Sequence, residues 1–205
     1  MITVSHVEPL GKGKYQLSLD NGMECQLYRG ELRSMNIAEG ISLTEEQYQA
    51  LMHLLTVRAQ KRAVYLLEKM DRTEKQLREK LLSNNYPEVC VDAAIDYLKG
   101  RHFLDDYRYA CTYVRYHGEK LSRQVLRQKL GQKGVGRADI EAAIEEEYAG
   151  EEYGMIVELL QKKHYDANCD QKEFARIYQF LLRRGFKSHD ILRAMKRDTI
   201  YSSFD

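Results

Sequence analysis

Two basic runs in the second half of this 205-residue chain have the residue types that contact phosphate groups. Residues 119–137 carry six basic side chains against one acidic one, and residues 183–197 repeat that ratio. Lysine and arginine bind phosphate oxygens without reading base sequence, and such binding weakens as salt is raised. The candidate residues for contact with DNA or a partner protein are Lys120, Arg123, Arg127, Lys129, Lys133, Arg183, Arg184, Lys187, Arg193 and Arg197.

An acidic stretch, residues 139–152, separates the two runs and leaves two interpretations of them open. It carries seven acidic side chains and no basic one. In one interpretation the basic side chains form a solvated helix face balanced by nearby glutamates, as most charge runs do. In the other they bind phosphates or an acidic partner. We favour binding, because the two runs fall at nearly matching places of an internal repeat.

The adjacent pair Asp105 and Asp106 also invites a chemical role. Paired carboxylates serve acid–base catalysis or hold metals, but neighbours at a helix start point in different directions, and no partner residue is evident. Carboxylates at a helix N-terminus meet unsatisfied N–H groups and the positive end of the helix dipole. We therefore expect this pair to cap a helix.

The remaining sequence gives no sign of an active site. Its four cysteines are scattered without the spacing of a zinc site, and no phosphate-binding glycine loop or nucleophile motif occurs. We predict a protein that is not an enzyme, with no cofactor and no metal. No run approaches the ~20 apolar residues of a membrane span, and the N-terminus lacks a signal-peptide pattern, so we expect a cytoplasmic protein.

The elements that carry these residues are mainly helical. Alternating apolar residues within 2–28, interrupted by Asn21-Gly22, predict a small antiparallel sheet of about three strands. Thr44 and Gln47 have the spacing of a capping box. Helical periodicity continues from there to the end of the chain, and the first helix is long enough that we expect a break near residues 56–60.

An internal repeat gives these helices their arrangement. Each unit contains a helix, a tight turn with an apolar residue, and a second helix, and a further helix precedes it. Two leucine or isoleucine positions and the glycine or asparagine at the helix end define the register. These positions are Leu77, Leu126 and Ile177; Leu81, Leu130 and Leu181; and Asn85, Gly134 and Gly185.

The predicted fold class is mainly α: a short N-terminal β subdomain followed by three tandem three-helix repeats in an elongated array. A sheet of this size is marginal alone, so we expect it to pack on the helices that follow. The predicted divisions are a β subdomain at 1–43, a linking helix and first repeat at 44–105, a second repeat at 106–151, and a third at 152–205.

The segment that joins the first two repeats resembles a known family signature. The run Phe103-Leu104-Asp105-Asp106-Tyr107-Arg108-Tyr109-Ala110 is similar to the signature of the RecX family, the regulators of the RecA recombinase. The resemblance covers about residues 58–200 and includes Leu126-Arg127-Gln128-Lys129-Leu130 and Leu182-Arg183-Arg184-Gly185-Phe186. One departure is Tyr109, which stands where phenylalanine is common. The signature residues are Phe103, Leu104, Asp105, Asp106, Arg108, Tyr109 and Ala110.

The RecX resemblance implies a regulator that binds the RecA–single-stranded DNA filament and modulates recombinase, ATPase and co-protease activity. Inhibition is the expected direction, in homologous recombination, DNA repair and the SOS response. The implied partners are the filament and the DNA within it, with a monomeric protein and no membrane. The alternative is a helix–turn–helix DNA-binding regulator, against which the acidic helix expected at 139–147 argues. A helical adaptor without nucleic acid is a third possibility, separated from the first by salt-dependent DNA binding alone.

Overall fold

The structure is a computed structural model that describes residues 2–201, with side chains described as far as Met195. The side chain of the candidate Arg197 lies outside the described residues. Residue 1 and residues 202–205, which begin the first predicted division and end the last, also lie outside them. The chain forms two compact units, Met1–Asp105 and Asp106–Asp205. The finer predicted boundaries, at residues 43 and 151, stay predictions.

The N-terminal unit begins with an antiparallel sheet. Its strands are β1 (Ile2–Gly11), β2 (Lys14–Leu19), β3 (Glu24–Tyr28) and β4 (Ser42–Leu43), in the spatial order β3-β2-β1-β4. Gly22 lies in the predicted turn between β2 and β3 with φ +81°, a backbone conformation that glycine adopts without strain. Strand β4 was not among the predicted strands, because two residues are too few to show an alternating pattern.

Four helices complete this unit: α1 (Arg29–Ser34), α2 (Glu45–Lys69), α3 (Glu74–Leu82) and α4 (Glu88–Gly100). The prediction of a break near residues 56–60 is wrong, since α2 is continuous. Its buried stripe explains why. Leu51 and Leu55 pack into the core under the sheet, and Ala59, Ala63 and Leu66 pack into the core of the first three-helix module, formed by α2, α3 and α4.

The C-terminal unit contains a second module, α5 (Asp106–His117), α6 (Arg123–Gln132) and α7 (Arg137–Glu147), and a third, α8 (Glu152–Lys162), α9 (Gln171–Arg183) and α10 (Ser188–Tyr201). Leu126 and Leu130 of α6 and Leu181 of α9 are fully buried, each in the core of its own module. The leucine register predicted from the repeat therefore coincides with the core positions.

The residue predicted to end the first helix of each repeat has a left-handed backbone. The φ angles are +58° at Asn85, +92° at Gly134 and +78° at Gly185. Glycine and asparagine adopt this conformation at the lowest energetic cost, which confirms their predicted role at the helix ends. The apolar residue that follows each of them, for example Phe186, packs into the module core.

Candidate partner and nucleic-acid interface

A hydrogen-bonded joint connects the second and third modules within the C-terminal unit. Ser122 caps α6, since its Oγ accepts a hydrogen bond from the Val125 N–H at 3.3 Å. The same hydroxyl donates to the carbonyl oxygen of Arg184 at 2.7 Å. Ser122 is only 1% exposed, so this bond is shielded from water. The joint brings the backbones of two predicted basic segments, around Arg123 and Arg184, next to each other.

Gly185 is the residue that permits this close approach. A Cβ atom at this position would lie 2.7 Å from the Ser122 Oγ, 3.1 Å from the Gln124 Cβ and 3.2 Å from a Val125 methyl group. The glycine thus meets two requirements, a left-handed backbone and contact with the start of α6. Sequence reasoning found the first requirement and had no signal for the second, because the contact joins different repeats.

Arg123 begins α6 and lies beside the joint. Its backbone N–H donates to a Glu152 carboxylate oxygen at 2.7 Å, and its guanidinium lies 4.6 Å from the centre of the Tyr148 ring. Burial is the main cause that raises the pKa of Tyr148 to about 12, so this ring stays neutral at physiological pH. Among the described residues no carboxylate forms an ion pair with the Arg123 guanidinium.

Five further candidates are exposed and form no ion pair with any carboxylate of the described chain. Arg184 stacks on the Phe180 ring at 4.7 Å and keeps its guanidinium at the surface. Cations of this kind can meet an external anion without first breaking an internal ion pair. The five residues are Lys120, Lys129, Arg183, Arg184 and Lys187.

The remaining described candidates have internal partners. Arg127 forms a two-pronged ion pair with Glu141, with N···O distances of 2.8 Å on both prongs. Arg193 pairs with Asp190 at 3.3 Å. The Lys133 ammonium lies 5.9 Å and 5.5 Å from the ring centres of Tyr109 and Tyr113. Any phosphate that binds these residues must compete with an existing contact.

Three glutamates of the acidic stretch 139–152 are engaged within the fold, one of them by a candidate residue. Glu141 meets Arg127, Glu147 meets Arg115, and Glu146 accepts a hydrogen bond from the Tyr107 hydroxyl. The Arg115 guanidinium lowers the pKa of the Glu147 carboxyl below its ordinary value. Both interpretations of the charge runs therefore apply, each to a different set of side chains.

The signature residues of the joining segment are largely structural. Leu104 is 4% exposed within the first module core, and Ala110 is fully buried within the second. Asp106 is the first residue of α5, as expected for an N-terminal carboxylate. Phe103 differs, since it is 54% exposed.

A second cationic site, in the N-terminal unit, is absent from the predicted set. Strands β2 and β3, helix α2 and the turn between α3 and α4 enclose a polar cleft of about 500 Å³. Of its basic residues, Arg58 and Arg62 lie one helical turn apart on α2, whereas Lys14 lies far from them in sequence, on β2. Only the folded arrangement of strands on α2 brings them together.

Comparison with known proteins places this chain in a family. Models of the first, second and third three-helix domains of RecX match residues 59–98, 105–144 and 150–195. A regulatory protein RecX of Vibrio parahaemolyticus (serotype O3:K6, strain RIMD 2210633) is 33% identical over 143 residues, which is 68% of this chain and 91% of that relative. The chain belongs to the RecX family. This assignment confirms both the resemblance and the mainly helical fold with three tandem three-helix domains.

RecX proteins are similar to this chain over nearly its whole length. The regulatory protein RecX of Clostridium botulinum (strain Eklund 17B / Type B) is 27% identical over 204 residues, covering 97% of this chain and 96% of that relative. A crystal structure of a regulatory protein RecX matches with a TM-score of 0.63 at 26% identity, covering 93% of this chain and 97% of that one. RecX proteins are regulatory proteins by name, and within residues 2–201 no helix is long and apolar enough to cross a membrane.

Proposed function

We propose that this RecX protein binds the filament that the RecA recombinase forms on single-stranded DNA, and that it inhibits the recombinase, ATPase and co-protease activities of that filament. In the cell this would restrain homologous recombination and the SOS response during DNA repair, in the cytoplasm and as a monomer. Family membership supports the identity of the partner.

The observation that carries the proposal is the pair of exposed cationic segments beside the Ser122–Arg184 joint. Lys120 and Arg123 lie on one side of the joint, and Arg183, Arg184 and Lys187 lie on the other. A set of cations without internal carboxylate partners suits the phosphates of a DNA strand or an acidic protein surface. Because both segments belong to one compact unit, they present their charge together rather than through a flexible linker.

A sequence-specific helix–turn–helix regulator is the other class considered. Such a protein lays a recognition helix in the major groove, against phosphates on both sides. Helix α7, which follows the turn of the second module, carries four glutamates and would be repelled there. The filament proposal needs no helix to enter a groove of duplex DNA.

The test is ATP hydrolysis and strand exchange by the cognate RecA on single-stranded DNA, with this protein titrated in. We expect both activities to fall. A fall well below one molecule per recombinase monomer indicates capping or cooperative action, and a fall only near equimolar addition indicates coating of the groove. Unchanged activities, together with tight binding to a discrete duplex site, would support the helix–turn–helix class instead.

A double variant identifies the surface. Arg123→Gln with Arg184→Gln removes one cation from each side of the joint and leaves the ion pair of Arg127 with Glu141 in place. Lys162→Gln with Lys172→Gln is the control, because it removes the same charge from exposed positions of the same unit, at the loss of one exposed ion pair, Lys162 with Glu158. Only the first variant should require more protein to inhibit the filament. Equal behaviour of the two would refute this surface.

A further inference from the structure

The polar cleft of the N-terminal unit has the composition of an anion site. Lys14 comes from β2, Arg58 and Arg62 come from α2, and Asn84 comes from the turn between α3 and α4. No aspartate or glutamate is among the residues that line it. Convergence of three cations from two elements is electrostatically unfavourable unless an opposite charge is present for at least part of the time.

One of these cations is neutralised within the protein and two are not. Arg58 donates to the Gln26 carbonyl oxygen at 3.1 Å and pairs with Glu31 at 3.2 Å. Arg62 donates through Nε to the Asn84 side-chain oxygen at 3.2 Å and has no carboxylate partner in the described chain. Lys14 is exposed, and its ammonium lies 5.8 Å from the centre of the Tyr28 ring.

The internal contacts also hold these groups in place. Arg58 is fixed by a backbone carbonyl, a carboxylate and the Tyr28 ring at 5.1 Å, and Arg62 by Asn84 and the Tyr65 ring at 5.2 Å. A ligand that binds groups already ordered loses less conformational entropy than one that must order them. The terminal nitrogens of Arg62 and the Lys14 ammonium are the donors left for that ligand.

We propose that this cleft binds phosphate groups of a single-stranded nucleic-acid backbone. Its walls are polar, whereas sites for small organic ligands are mostly apolar. Lys14 and Arg58 already lie near the Tyr28 ring, which reduces the room for a base to stack on it. The site therefore recognises phosphates without recognising bases. A cleft of about 500 Å³ has room for a short stretch of one flexible strand.

The site deepens the proposed function, since it would let the N-terminal unit hold the DNA of the filament. It rests on that proposal only for the source of the strand. The test therefore contains no recombinase: the affinity of the full-length protein for a labelled oligothymidylate is measured by fluorescence anisotropy over a range of salt concentrations. A protein that does not bind the oligonucleotide would refute the cleft proposal without refuting the filament proposal. A protein that does not inhibit the filament would refute the filament proposal without refuting the cleft proposal.

The variant is Lys14→Gln with Arg62→Gln, and Lys12→Gln with Lys61→Gln is its control. The control changes the same hairpin and the same helix by the same charge, but neither residue lines the cleft. Each phosphate contact contributes about 0.7 to the slope of log affinity against log salt, hence about fivefold in affinity at ~0.1 M salt. The cleft variant should bind about 25-fold more weakly with a slope reduced by about 1.4, and the control should change less than about twofold.

Two outcomes would overturn the proposal. Equal weakening in both variants would show that net charge, and not the cleft, attracts the DNA. The second involves ATP as a probe for a free nucleotide. If the cleft variant loses ATP binding while its affinity for the oligonucleotide is unchanged, the site holds a free phosphate compound instead of a strand. Thermal unfolding of both variants confirms that they are folded.

Discussion

Replacement of Gly185 by alanine tests whether the joint between the second and third modules is as close as the structure shows. The substitution adds a single methyl group and changes no charge. Alanine in a left-handed backbone costs roughly 1–2 kcal/mol. The new Cβ would also lie 2.7 Å from the Ser122 Oγ, so the joint must open or α6 must shift. Overpacking of this kind costs about 1–3 kcal/mol.

Gly40 is the matched position. It has almost the same backbone angle, φ +79° against +78° at Gly185, but a Cβ there meets nothing within 4 Å. Gly40→Ala therefore carries the backbone cost without the packing cost, and the loss of unfolded-chain entropy is the same for both. We expect Gly185→Ala to destabilise by about 1–3 kcal/mol more than Gly40→Ala.

Native-state hydrogen exchange is the appropriate assay, because the chain has two compact units and each substitution should be read in its own unit. Amides of α6 and α9 report on Gly185, and amides of β1 report on Gly40. A second comparison uses Ser122→Gly, which removes the atom that the new methyl group meets and retains a residue tolerated at a helix N-cap. In the Ser122→Gly protein, the loss of unfolding free energy caused by Gly185→Ala should be smaller by about 0.5–3 kcal/mol. Equal costs at both glycines, or no relief from Ser122→Gly, would refute the reasoning.

Two further predictions concern the second module. Leu126→Ala should lower the free energy of unfolding by about 2–5 kcal/mol, because this side chain is fully buried. Leu82→Ala is the control and should lower it much less, because the Leu82 side chain on α3 is 39% exposed. Urea unfolding measures both. Arg127 lowers the pKa of the Glu141 carboxyl. The ion pair therefore stabilises the protein at pH values above the ordinary glutamate pKa of about 4.3. This stabilisation is lost as the pH falls through the lowered pKa of Glu141. The variant Arg127→Gln should be less stable than the parent at neutral pH, by no more than about 1 kcal/mol for this exposed pair, and the two should converge in acid; a constant difference down to low pH would contradict this assignment.

The repeat in the sequence predicted the fold well because it records the same local physics three times. Leucines at fixed spacing and a glycine or asparagine at each helix end are local requirements, and Leu126, Leu181 and Gly185 meet them as expected. The continuous helix α2 was missed for the opposite reason. Two different cores bury its two halves, and periodicity within one helix does not show which core each half will meet.

The candidate interface was only partly predictable, since a charge run does not show which of its members pair internally. Arg127 and Arg123 are four residues apart on α6 and looked equivalent in the sequence. In the fold Arg127 meets Glu141 of α7, whereas the Arg123 guanidinium meets an aromatic ring. The cleft around Lys14 and Arg62 was not predictable, because a strand and a helix bring together residues separated by about half of the N-terminal unit.

The position of each cation within its module accounts for these differences. Arg127 lies inside α6 and pairs with Glu141 on α7. Arg193 lies inside α10 and pairs with Asp190 on the same helix. Most unpaired cations lie instead at helix ends and turns, where fewer side chains of the module are within reach. They are Lys120, Arg123, Arg183, Arg184 and Lys187, and Lys129 lies in the last turn of α6. Short turns packed against each other, as at Ser122 and Arg184, thus concentrate positive charge on a chain whose net charge is only +1.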